Sequence, residues 1–141
     1  LRSFMAGIIK HIEEITFFLN PTEQSYRRFG EKKAPVYITW SSENRNQLIM
    51  IPECSKNRRH LKLRSPDSGS NPYIAYALLI YAGLDGVRNN MDPGEPTNLD
   101  LAGKDHSELR KLPLSLEEAR SKALGSAFVK GILGEDHLKL F

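Results

Sequence analysis

Three arginines carry the most chemical promise in this chain of 141 residues. Arg28 follows a short helix-like stretch, Arg45 lies in a polar turn between two apolar runs, and Arg64 ends a third run that alternates polar and apolar. A guanidinium is a planar fork of donors that holds carboxylate or phosphate oxygens two at a time, so arginines converging from three segments suit a small anionic ligand. Spacing alone fits ordinary surface ion pairs at least as well. Positive charge is also dense nearby: Lys56, Arg58, Arg59, His60, Lys62 and Arg64 fall within nine residues, although the net charge is only +3. That density fits an anionic partner or a solvated face. Without interleaved aromatics or a reading motif it is not a nucleic-acid signature.

Other chemistries find less support. His11, His60, His106 and His137 show no metal-ligand spacing, and a single cysteine, Cys54, cannot build a zinc cage. Glu13-Glu14 and Glu117-Glu118 read as solvated helix faces. No G-x-S-x-G elbow, Cys-His signature, Walker loop or dinucleotide loop occurs. One cysteine also excludes an internal disulfide, which leads to the expectation of a reducing, cytoplasmic home. The apolar runs are far shorter than the roughly 20 residues that span a bilayer, so no membrane role is expected. The chain opens directly into a helical pattern, with neither an initiating Met nor a leader signature, which reads as a domain boundary and a truncated domain.

The elements that would position these residues follow from periodicity. Phe4, Met5, Ile8, Ile9, Ile12, Ile15 and Leu19 recur at helical steps and predict a helix ending before Asn20-Pro21. Thr22 to Arg28 reads as a helical turn. Val36 to Trp40 and Gln47 to Ile51 read as strands joined by the turn Ser41 to Asn46, and His60 to Arg64 as a third with Leu61 and Leu63 inward. Asn71-Pro72 opens a strongly apolar helix to about Arg88, expected to be buried and central. Asn98 to Pro113 has no clear period. Ser115 with Glu118 forms a capping box for a helix through Leu124, and another helix runs from Ser126 to about Leu133. Segregated helices and hairpin-like strands place the chain in the α+β class, with antiparallel strands packed against helices.

Longer words in the sequence then narrow the reading. NPTEQSYRR at Asn20 to Arg28, APVYITWSSENR at Ala34 to Arg45, and LRSPDSGSNPYIAYALLIYAGLDGVRNNMDPGEP at Leu63 to Pro96 resemble the C-terminal part of the glutamine synthetase catalytic domain. SLEEA at Ser115 is similar too, so the resemblance runs along nearly the whole chain in order. It implies an ATP-dependent ligase that condenses glutamate with ammonia through a γ-glutamyl phosphate, with Mg2+ or Mn2+ and ATP as cofactors and a homo-oligomeric assembly. It also implies that residues 1–141 are the C-terminal portion of that domain, with a β-grasp domain and the first part of the catalytic domain absent. By position Arg28 matches the arginine that grips the substrate carboxylate, Arg45 one that faces the transferred phosphate, and Arg64 one that serves the substrate and phosphate region. His60 stands at a nucleotide-associated arginine.

The departures from the family pattern point in one direction. Lys62 stands where a metal-binding glutamate is expected, and an ammonium repels a cation rather than coordinating it. Met50 replaces an arginine expected near the ATP phosphates, and Lys33 occupies the place of a loop glutamate that guards ammonium; Glu31 is near but is not assigned that role. The tyrosine that some bacterial members nucleotidylate is missing, because Asn98-Leu99 is followed by Asp100. These changes imply a divergent member, expected to be inactive as this fragment. Two alternatives accompany it: a catalytically silent structural or ligand-sensing protein, and a γ-glutamyl-amine ligase with another substrate.

Overall fold

The computed structural model describes residues 1–31, 34–52, 59–101 and 105–141. Nine elements follow in order: α1 (Arg2–Leu19), α2 (Glu23–Arg27), β1 (Trp40–Ser41), β2 (Ile49–Met50), β3 (Lys62–Leu63), α3 (Pro72–Arg88), α4 (Leu116–Gly125), α5 (Ala127–Leu133) and α6 (Glu135–Leu138). The architecture is α+β, helices beside one small sheet. Helix α1 is the spine. Met5, Ile8, Ile12, Ile15 and Leu19 all point inward from it, and Leu78, Leu112, Val129, Trp40 and Leu48 from five other segments close over the same core.

Helices α1 and α3 touch backbone to backbone. A Cβ on Gly86 would lie 1.9 Å from the Ser3 carbonyl oxygen, and one on Gly7 would lie 2.0 Å from that of Ala82. No other residue type fits either crossing point, because overlap with backbone cannot be relieved by a rotamer change. Helix α3 is nucleated as the sequence requires: the Asn71 side chain accepts from the Tyr73 and Ile74 amides, and Pro72 fills the first turn, where an N–H has no helical partner. The expectation of a fully buried α3 is not met along its whole circumference. Ala75, Leu78, Ala82, Gly83 and Gly86 are buried, whereas Tyr73, Tyr76, Ile80 and Val87 are exposed, because α1 packs along one side of the helix, with α5 beside it.

The sheet also differs in detail from the alternating-strand reading. Its order is β1-β2-β3, with β2–β3 antiparallel, Ile49 opposite Leu63 and Met50 opposite Lys62, but β1–β2 is parallel, Trp40 opposite Ile49. The polar turn after Ser41 is therefore not a hairpin; it carries the chain back so that β2 starts again at the same end as β1. The run before Trp40 pairs elsewhere. Ile38 donates to the Arg110 carbonyl, Leu112 donates to that of Val36, and Tyr37 forms an isolated antiparallel bridge with Lys111. Arg110 to Leu112 lacks alternation, so nothing in its residue pattern announces a pairing partner.

At the C-terminal end the capping reading is met with a variation. Ser115 Oγ accepts from the Glu118 amide, while the Glu118 carboxylate reaches back to the Leu114 amide rather than to that of Ser115. Ser126 Oγ likewise caps α5 through the Val129 amide and donates to Glu14 Oε2 at 2.8 Å, tying α5 to α1.

Candidate functional site: an arginine end of the sheet

Two hydrogen bonds bring Arg28 and Arg64 together beside the start of β2, and Arg45 lies in the turn that leads into that strand. The Arg64 amide donates to the Leu48 carbonyl, which puts the residue after β3 beside the residue before β2, three positions from Arg45. Arg28 then reaches across from the end of α2: its Nη2 donates to the Ser65 carbonyl and, at 2.6 Å, to Asn20 Oδ1. Asn20 is itself fully buried and braced on the Thr16 carbonyl, so the bracket is anchored in the α1 terminus. Helix α2, which delivers Arg28, is closed by reciprocal Thr22–Ser25 capping.

The three guanidinium groups differ in what they have left to offer. Arg28 has Nη2 committed to the protein and its Nε 3.7 Å from Asp67, with Phe29 beneath the guanidinium at 5.3 Å. That Nε is buried and, among the described residues, has no hydrogen-bond partner. Arg64 is half-buried and its Nε is a buried donor with no partner among the described residues, a costly condition for a cation's N–H unless something else completes it. Arg45 is exposed in the turn between β1 and β2 and makes no ion pair among the described residues. Asp67 is the one carboxylate recorded against these arginines. Its pKa is lowered, first by the Gly69 amide that donates to it at 2.8 Å, with Ser25 and Arg28 adding to the effect.

Lys62 and His60 lie farther along the same strand, toward the other end of β2. Both are exposed. Lys62 sits opposite Met50, so two of the departures from the family pattern are cross-strand neighbours: where an arginine and a glutamate would attract, a thioether and an ammonium meet. The Lys62 side chain also borders a cavity of about 870 Å³ whose walls include Arg64, Phe4, Leu63, Tyr76 and Leu79, with no carboxylate among its lining residues. Lys33, the third departure, and Cys54, Lys56 and Arg58 of the basic run lie outside the described residues.

Whether these residues suit a divalent cation is a question of donors. Among the described residues no group of three or more His, Cys, Asp or Glu side chains could hold a metal ion. Asp67, the carboxylate paired with Arg28, already accepts from Gly69. The described residues alone do not fit a metal centre. No described helix is long and apolar enough to cross a membrane.

Several residues that shape the site were missed from sequence. Asn20 was read only as a helix stop, and Asn44 and Gln47 only as turn and strand. His11 was read as scattered, yet its buried ring lies between Glu14 Oε2 at 3.1 Å and Asp85 Oδ2 at 2.8 Å and stacks on Phe128 at 3.7 Å. Its helical spacing from Ile8 and Ile15 was the available signal that it faces inward.

The family model "Glutamine synthetase, catalytic domain" matches residues 1–141. The chain is 46% identical over 138 residues to a glutamine synthetase of Methanosarcina mazei, covering 94% of this chain and 31% of that protein. It is 36% identical over 147 residues to the glutamine synthetase of Thermotoga maritima, covering 100% and 34%. Among solved structures it superposes with a TM-score of 0.83 on a GmaS/ADP complex, at 35% identity over 94% of this chain and 32% of that one. The chain thus spans about a third of the length of these relatives. A match of this extent shows that the chain belongs to the glutamine synthetase family and corresponds to the C-terminal part of its catalytic domain.

Proposed function

We propose that this chain supplies the arginine-lined, anion-holding part of an ATP-dependent glutamate ligase, and that it is inactive by itself. In this reading Arg28 Nη1 holds the substrate carboxylate, while Arg45 and Arg64 neutralise charge on the phosphoryl group passing from ATP. The glutamate γ-carboxylate oxygen bonds to the γ-phosphorus as the bond to ADP breaks; ammonia then attacks the acyl carbon, loses a proton, and phosphate leaves. Donors fixed in advance of the reaction stabilise such developing charge without reorganising, commonly worth ~10²–10³ in rate per donor. One observation supports this most: the Arg64 Nε is buried without a partner at the end of the sheet where Arg28 is bracketed onto Ser65. A ligand oxygen is the natural completion of that N–H. His60 is the weaker nucleotide contact in this reading, and the remaining ligands, ATP handling, any metal and the oligomer belong to the longer protein.

A second reading is favoured by a different observation, the exposed Lys62 opposite Met50. There the full-length protein is catalytically silent and senses or scaffolds, because Lys62 stands at the place of a metal-binding glutamate and Met50 at that of an arginine near the ATP phosphates. A γ-glutamyl-amine ligase with another amine is the third. One assay on the full-length protein separates them. ATP-dependent glutamine formation, lost in Arg64→Ala, supports the ligase; turnover only with substituted amines supports the third reading; no turnover with any amine, with glutamate or ATP still bound, supports the silent one. Magnesium or manganese titration adds a direct check: saturable binding that Lys62→Ala does not alter removes the argument from Lys62.

A further inference from the structure

The turn that carries Arg45 is held in part by residues far from it in sequence. It joins two parallel strands, β1 and β2, across residues 42–48, and a parallel pair offers no two-residue hairpin geometry to fix its loop. Its support comes from a segment fifty residues later. The Thr97 amide donates to the Trp40 carbonyl at 2.8 Å, and Ser41 Oγ donates to Asn98 Oδ1 at 2.6 Å. The same Ser41 Oγ accepts from the Glu43 and Asn44 amides at 3.1 and 3.0 Å. On either side of Arg45 one amide side chain then donates to a single carbonyl, that of Leu99: Asn44 Nδ2 at 3.0 Å and Gln47 Nε2 at 2.9 Å.

Gln47 is fully buried, with its Oε1 accepting from Thr39 Oγ1, so both ends of that amide are used. Two forks gripping one carbonyl, on both flanks of an exposed arginine, amount to a clamp. We propose that residues 97–99, through Asn44 and Gln47, are the positioning element for Arg45, and that the affinity of the arginine end for a phosphate-bearing ligand is set from there. The proposal rests on the reading of Arg45 as a phosphate contact, and it adds Asn44 and Gln47 as positioning residues that touch no ligand themselves. A misplacement of about 1 Å can cost about 100-fold in rate at a reacting contact, so a clamp on the residue before Arg45 and on the second residue after it matters.

The discriminating variant is Asn44→Ser in the full-length protein. Serine can still accept from the Asn46 amide, as Asn44 Oδ1 does at 2.9 Å, so the local turn survives, but it is too short to reach Leu99. The readouts are amide hydrogen exchange across 42–48, the melting temperature, and ATP affinity by calorimetry, with Arg45→Ala alongside. Expected are exchange faster by about tenfold in that loop alone, a melting temperature within about 2 °C of the parent, and ATP binding weakened about tenfold, in the direction of Arg45→Ala. Unchanged exchange overturns the clamp, and so does accelerated exchange with undiminished ATP binding when Arg45→Ala does weaken it. If Arg45→Ala itself binds ATP normally, the phosphate role of Arg45 is overturned instead, and the exchange result still decides whether residues 97–99 hold the turn.

Discussion

Arg28 holds structure with one arm and, in the proposed function, ligand with another. Its Nη2 ties the end of α1, through Asn20, to the strand exit at Ser65, while its buried Nε has no hydrogen-bond partner among the described residues. Arg28→Lys therefore loses the fork while keeping the charge, and ligand affinity in the full-length protein is expected to fall by more than tenfold, since one ammonium cannot satisfy both acceptors and a carboxylate. Calorimetric titration with glutamate checks this. Asp85 offers a prediction in pH. The His11 ring nitrogen and then the Lys10 ammonium hold its carboxyl below the ordinary value, so the folded pKa lies under the unfolded one. The stabilisation is thus complete above the unfolded value of about 3.9 and is lost as pH falls through the folded one. Asp85→Asn is expected to be less stable than the parent near neutrality, with the gap closing below about pH 4, as urea unfolding at several pH values will register.

Elements impose a different kind of constraint, because helices pack as rigid surfaces. The α1–α3 crossing leaves no room for a methyl group at Gly86, whose Cβ would meet backbone atoms of Ser3 and Gly7. Gly86→Ala gains about 1 kcal/mol of helix propensity but must push two backbones apart, and a net loss of about 2 kcal/mol or more is expected by chemical denaturation. Were the variant to be as stable as the parent, the crossing would have to be looser than 1.9 Å implies. At the other end of α3 the Asn71 cap predicts a smaller effect. Asn71→Ala is expected to cost about 1 kcal/mol, and Asn71→Gly only a few tenths, because glycine lets water reach the freed amides of Tyr73 and Ile74.

On the scale of the whole molecule the telling feature is the uncovered side of α3. Tyr73 is 85% exposed, Tyr76 66% and Ile80 50%, a run of large apolar side chains on one helix. Monomeric proteins seldom leave such a patch open. The chain of residues 1–141 alone is therefore expected to self-associate, and the pair Tyr76→Glu with Ile80→Glu to return it toward a monomer in sedimentation velocity. A parent that stays monomeric at high concentration contradicts this. Much of this molecule could be read from its residues. The α1 and α3 periods, the Asn71 and Ser115 caps and the family words were all local in sequence, and local patterns survive being read one segment at a time. The pairing of Val36–Ile38 with residues 110–112 was not legible, since a strand's partner leaves no mark in its own residues.

Composition and motif determined by themselves the family, the α+β class and the identity of three arginines suited to anions. Tertiary structure alone decided that Arg28 is bracketed onto the residue after Arg64, that Lys62 lies opposite Met50, and that Asn44 and Gln47 grip Leu99 from more than fifty residues away. The reason is physical: charge, propensity and capping act over a few residues, whereas strand direction and the destination of a buried amide are chosen by whichever distant carbonyl remains unsatisfied when the core closes.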